Sequence, residues 1–128
     1  MFGIDLKLLF IAGGGALGAV SRHLVNISPL ARIFDHFPFP TFFINIVGSF
    51  LIGFFMILLA DKVEISDNLR FAIIVGFLGA FTTFSTFEME IYGLLKDRFF
   101  ATGFLYLLLS VAVGFAGLVA GVELAKRF

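Results

Sequence analysis

Four apolar stretches, at about residues 6–25, 39–59, 69–95 and 99–124, are separated only by short polar turns. Roughly 20 helical residues cross a hydrocarbon core, so each stretch is long enough for one crossing. Within a bilayer no water is available to the backbone, and a stretch of this kind pairs its peptide groups by forming a helix. The expected fold is an all-α membrane protein: four transmembrane helices in a single domain over residues 1–128. Composition closes the soluble alternative. Of the 128 residues 60% are hydrophobic and 14% charged, with 20 phenylalanines, which is more apolar surface than a soluble domain of this size can hide. The formal net charge is zero, so nothing points to nucleic acid, and the lack of cysteine excludes disulfides and thiolate metal sites. The first stretch is too long for a removable signal peptide and lacks the cleavage pattern.

The third stretch is not written as a plain helix. Gly76 and Gly79 are followed by Thr82-Thr83 and then Ser85-Thr86, residue types that weaken a helix or offer its backbone other partners. The expectation is a break at residues 79–83. Two readings of it are open. One is a packing kink whose hydroxyls bond their own preceding turn; the other is a broken helix lining a polar cavity, a common device for binding ions.

The other stretches carry their own polar marks. The first has the run Ala12-Gly13-Gly14-Gly15-Ala16-Leu17-Gly18-Ala19, where a neighbouring helix can approach closely, and ends near Arg22, which either snorkels to the interface or attracts anions at the mouth of a bundle. The connection from Asn26 to Pro40 is punctuated by three prolines and carries a short apolar stripe of Leu30, Ile33, Phe34 and Phe37. In the second stretch Thr41, Asn45 and Ser49 recur at i, i+4 and i+8 on one face. Asn45 is either structural glue between helices or a donor lining a pore. Phe84 and Phe87 share a face among hydroxyls; they are ordinary core, or they present positive ring edges to an anion. In the fourth stretch Tyr106 and Ser110 lie at i, i+4, and Ser110, Gly114, Gly117 and Gly121 trace a small-residue seam.

Charge placement bears on assembly. With four crossings, one side holds Lys7, Lys62, Arg70, Lys126 and Arg127, and the other Arg22, Arg32, Lys96 and Arg98. Five cations against four give almost no orientation bias. Such a chain is expected to insert both ways and to pair as an antiparallel homodimer, since four helices alone enclose little space.

The segment Thr41 to Phe50 (TFFINIVGSF), followed by Gly76 to Phe87 (GFLGAFTTFSTF), resembles the Fluc (CrcB) family of fluoride channels, and the resemblance extends over the whole chain. It implies a dual-topology dimer with two antiparallel fluoride pores in a prokaryotic cell membrane, exporting fluoride passively, and no enzymatic activity. Asn45 then matches the family's pore asparagine, and Phe84 and Phe87 its phenylalanine pair. Thr41, Thr83, Ser85, Thr86, Tyr106, Ser110 and Glu90 fall on or near its polar track, and Arg22 at a vestibule. The resemblance also implies a structural sodium ion at the dimer centre, held by backbone carbonyls at Gly79 and Thr82. Ala80 stands where the family often has glycine. Glu88 is a second acid, and spacing alone assigns the track carboxylate to Glu90. On this reading Asn45→Asp stops flux without unfolding the dimer.

The runner-up is a small dual-topology, proton-coupled multidrug exporter. That chemistry wants an acid near the midplane and usually a tryptophan against a cationic drug. The first two stretches carry no deep carboxylate, and the chain has no tryptophan. A purely structural subunit leaves Asn45 and the interrupted third stretch without a purpose beyond packing.

Overall fold

The computed structural model describes residues 5–128. Among them, four helical segments are long and apolar enough to cross a membrane: Leu6–Arg32, Phe39–Lys62, Asp67–Lys96 and Phe100–Ala125. Helix α1 (Leu6–Asn26) opens on Asp5, whose carboxylate accepts the Lys7 N–H at 3.0 Å. A 3₁₀ turn, Pro29–Arg32, follows it. Ser28 ties the two together, donating its hydroxyl to Val25 O at 2.6 Å and accepting the Leu30 N–H at 3.3 Å. The chain then enters α2 (Phe39–Ile57) through Pro38, whose φ of −75° and ψ of 73° form an inverse γ-turn closed by Phe39 N–H to Phe37 O at 2.8 Å.

α2 continues as a wider π-helical turn over Leu58–Lys62. The third segment opens with α3 (Asp67–Phe71), and the cap is Ser66, whose hydroxyl accepts the Leu69 N–H at 3.1 Å. Asp67 is used otherwise: it pairs with Lys7 at 2.9 Å and Arg70 at 2.7 Å, tying the starts of α1 and α3 together. π-helical winding then takes over for Ala72–Leu78, followed by the single turn α4 (Gly79–Phe81). Thr82 (φ −79°, ψ 157°) and Thr83 (φ −152°, ψ 121°) are extended, and α5 (Phe84–Lys96) begins after them. The turn into α6 (Phe100–Ala125) places Arg98 at φ 67°, where glycine is the usual residue, with Phe99 N–H to Leu94 O at 2.8 Å.

Close packing rests on glycines. Added Cβ atoms at Gly14 and Gly18 would collide with the carbonyl oxygens of Ala72 and Phe77, so α1 lies backbone against backbone on the π-helical winding. The unexpected winding has its physical setting here, since an i→i+5 turn is broader than an α-turn and sits where only hydrogens separate the chains. The seam on α6 meets α2 in the same way, Gly121 against the Phe50 carbonyl and Gly53 against that of Leu118. Large apolar side chains point outward instead, among them Leu17, Leu108 and Phe115, each about two-thirds exposed, as a lipid-facing surface requires.

Neighbouring glycines separate these effects. Gly14→Ala forces a methyl group into backbone that cannot move aside and should destabilise by about 2 kcal/mol or more. At Gly13 a Cβ meets nothing within 4 Å. Gly13→Ala should therefore be neutral or stabilising by up to about 1 kcal/mol. Melting temperatures of the two purified variants, compared with the parent, decide the matter.

Candidate functional site

The two extended threonines leave peptide groups without helical partners, and Asn45 on α2 takes up those of Thr83. The Thr83 N–H donates to Asn45 Oδ1 at 2.9 Å, and Asn45 Nδ2 donates to Thr83 O at 3.0 Å. One side-chain amide thus pairs both backbone groups of one residue, 38 positions along the chain. The pairing also fixes which end of the amide is oxygen, because the reversed orientation would face donor with donor and acceptor with acceptor. Thr83 in turn caps α5, its hydroxyl accepting the Thr86 N–H at 3.3 Å. The Thr82 hydroxyl bonds back to Leu78 O at 2.9 Å, and its methyl group lies against Gly48, where no Cβ would fit.

The extended pair takes the N–H groups of residues 83–86 away from the carbonyls of residues 79–82, and two of these donors have visible new partners. In an unbroken α-helix Gly79 O receives the Thr83 N–H, and Thr82 O the Thr86 N–H. Here Asn45 Oδ1 and Thr83 Oγ1 hold those donors. The carbonyls of Gly79 and Thr82 are thus left without those helical partners, near the end of a helical run where the helix dipole is negative.

Beside the interruption lies an open cleft of about 360 Å³, lined by Asn45, Gly79, Thr83, Phe84, Phe87 and Ser110 among others. Ser110 Oγ is buried there with no hydrogen-bond partner among the described residues. A buried hydroxyl of this kind is uncommon in a folded chain. The phenylalanine pair divides: Phe84 is 70% exposed and Phe87 only 5%. Their rings are 6.0 Å apart and tilted by 46°, and Phe87 also sits T-shaped on Tyr106 at 5.0 Å.

A second pocket of about 380 Å³ is lined by Thr41, Thr86, Glu90, Asn26 and the segment from Phe34 to Pro38. Tyr106 is fully buried, and its hydroxyl donates to Glu90 Oε1 at 3.0 Å. Glu88 is exposed and belongs to neither cavity. The expected residues therefore fall into two groups: Asn45, Thr83, Phe84, Phe87 and Ser110 in the cleft, and Thr41, Thr86 and Glu90, with Tyr106 bonded to Glu90, at the pocket. Ser85 is exposed and lines neither. Half-buried Arg22 stands one turn before Asn26 on α1 and lines neither cavity. Ser49 and Gly48 also line the cleft. The i, i+4, i+8 stripe already carried Ser49, but nothing in it distinguished a cleft residue from a packed one. Phe37 walls the second pocket, its ring 5.2 Å from that of Tyr106, and in the sequence it carries only the signal of a loop stripe.

The described residues thus form a multi-pass helical protein with amide and hydroxyl side chains gathered beside the extended Thr82–Thr83 pair. Comparison with known proteins gives the family. The family described as "CrcB-like protein, Camphor Resistance (CrcB)" matches residues 9–122, and the chain belongs to it. A protein of Solibacter usitatus named "Fluoride-specific ion channel FluC" is 38% identical over 95% of this chain and 100% of its own length. A protein of the same name from Acidobacterium capsulatum is 39% identical, over 95% of this chain and 98% of its own. One from Methylococcus capsulatus is 40% identical over 97% of this chain, which spans 54% of that longer protein.

The two-point bond alters what substitution at Asn45 does. Asn45→Asp keeps the acceptor for the Thr83 N–H but turns a second oxygen toward Thr83 O. It should cost about 2–4 kcal/mol of stability, the penalty of an unpaired buried group with charge, and not act as a silent change of charge. Ser49→Ala, one turn further and outside this bond, should change stability by less than about 1 kcal/mol. Thermal melting in detergent measures both.

Proposed function

We propose that this chain is a fluoride-specific ion channel, an antiparallel homodimer through which fluoride leaves the cell down its gradient. The name shared by its relatives supplies the ion. The observation in the chain that best supports the reading is the unpartnered Ser110 hydroxyl, buried in the cleft that Asn45, Phe84 and Phe87 line. Fluoride is small and tightly hydrated, so a pore must replace its water with donors that do not trap it. Asn45 Nδ2 carries two hydrogens, and Thr83 O takes one of them; the other remains for an ion. Ser110 offers O–H, and the ring edges of Phe84 and Phe87 offer weak positive charge. The route continues past Thr86, Thr41 and the Tyr106–Glu90 pair toward Arg22, with Ser85 beside it.

The extended Thr82–Thr83 pair is read as a break of the third helix within the membrane. Two features favour a second copy over it. Phe84, Ser85 and Thr86 are exposed in one chain, and hydroxyls facing hydrocarbon would be costly. The near-equal count of cations on the two sides supports the antiparallel arrangement. The carbonyls of Gly79 and Thr82 fit a structural sodium at the two-fold axis: neutral hard oxygens suit a small monovalent cation. No group of three His, Cys, Asp or Glu side chains capable of holding a metal occurs among the described residues. Bound there, the ion would supply positive charge that holds the two breaks together. No observation favours the exporter alternative.

Proteoliposomes containing the purified protein should release fluoride on addition of an ionophore for the counter-cation, and chloride at a rate no higher than empty vesicles. Equal release of both ions, or of neither, refutes the proposal. Phe84→Ile should cut the fluoride rate by about tenfold or more with less loss of stability than Phe87→Ile, because Phe84 is 70% exposed within one chain and its ring edge is the group removed. Phe87→Ile should lower both rate and melting temperature, because its ring also packs on Tyr106.

A further inference from the structure

The connection before α2 contributes a side chain to the polar route that its sequence does not announce. The inverse γ-turn at Pro38 folds residue 37 back toward the bundle, and the Phe37 ring meets Tyr106 edge to face, 5.2 Å apart at 74°. Phe87 meets the same phenol ring at 5.0 Å and 71°. Tyr106, with no exposed surface, is thus gripped between two rings, one from α5 and one from the connection. Phe42 backs Phe37 at 5.3 Å and 70°. The phenol hydroxyl so oriented donates to Glu90 Oε1 at 3.0 Å, and Glu90 and Phe37 line the same pocket.

An anion passing a carboxylate is repelled, and the repulsion depends on how far that charge is neutralised by a hydrogen bond and held aside. A phenol free to turn about its side-chain torsions would release the carboxylate into the pocket. We infer that Phe37 is a positioning residue of the channel, holding Tyr106 so that the Glu90 carboxylate stays hydrogen-bonded and out of the path of the anion. The inference about flux rests on the channel reading; the inference about Tyr106 does not.

Two readouts separate them. The chain has two tyrosines and no tryptophan, and Tyr92 is exposed, so a Tyr92→Phe protein reports Tyr106 alone by intrinsic fluorescence. A tyrosine bonded to a carboxylate is quenched by it. In that background Phe37→Leu, which keeps apolar bulk and removes the flat ring, should raise Tyr106 emission toward the level of Glu90→Gln. In proteoliposomes Phe37→Leu should slow fluoride efflux by about tenfold, equivalent to about 1.4 kcal/mol in the barrier. Added to Glu90→Gln it should slow efflux by less than about twofold, because the charge it restrains is gone. A role in packing alone lowers the melting temperature, leaves emission unchanged and slows efflux by the same factor in both backgrounds; either of the last two results overturns the inference. If Phe37→Leu does not fold, Phe37→Met takes its place with the same outcomes. A parent that releases no fluoride removes the channel reading, while the emission measurement still decides whether Phe37 holds Tyr106.

Discussion

A chain in hydrocarbon can leave helical geometry only where something other than water takes up the peptide groups it frees, each of which costs several kcal/mol if left bare. In this protein the amide of Asn45 does so for Thr83, accepting its N–H and donating to its C=O. Thr83 completes the arrangement by capping α5 with its own hydroxyl. Three polar groups on two helices thus make an interruption tolerable that the surrounding apolar sequence would otherwise forbid. Hydrogen bonds between membrane helices average below about 1 kcal/mol by mutational measurement. Their weight here comes from what would be stranded without them.

The remaining features follow from that interruption. Extended backbone at residues 82 and 83 separates a helix C-terminus, with its freed carbonyls, from the N-terminus of α5. Positive and negative ends of two helical runs then face one another across two residues. Ser110 and the two phenylalanines lie against the same gap. Glycine contacts hold the frame: α1 cannot approach the π-helical winding, nor α6 approach α2, if side chains stand between them. The Asp67 ion pairs fasten the membrane-edge ends of α1 and α3, where exposure and solvent make them a minor contribution.

Much of this was legible in the sequence, for reasons that can be named. The four stretches announce themselves by length and hydropathy, and the Thr82-Thr83 pair marks a weak helix through the chemistry of its own residues. The polar stripe of Thr41, Asn45 and Ser49 follows from helical spacing. What could not be read is everything that depends on a partner distant in the chain. Asn45 is legible as either glue between helices or a pore donor, and the choice requires seeing Thr83 opposite it; the geometry shows the bond to another helical segment. Spacing favoured Glu90 over Glu88, and the Tyr106 hydroxyl, 16 residues away, is what distinguishes them in space. The π-helical winding depends on contact with α1, and the approach of Phe37 to Tyr106 depends on a turn at Pro38. Neither has a local signature.

The central claim, that one side-chain amide holds the third helix open, is tested most directly by hydrogen exchange at the Thr83 N–H in the reconstituted protein. The account predicts slow exchange in the parent, and exchange that becomes fast at Thr83 in Asn45→Ala while the amides of α6 stay protected. Equal protection of Thr83 in both proteins would contradict it, because the N–H would then be bonded within an unbroken helix and Asn45 would not be its partner.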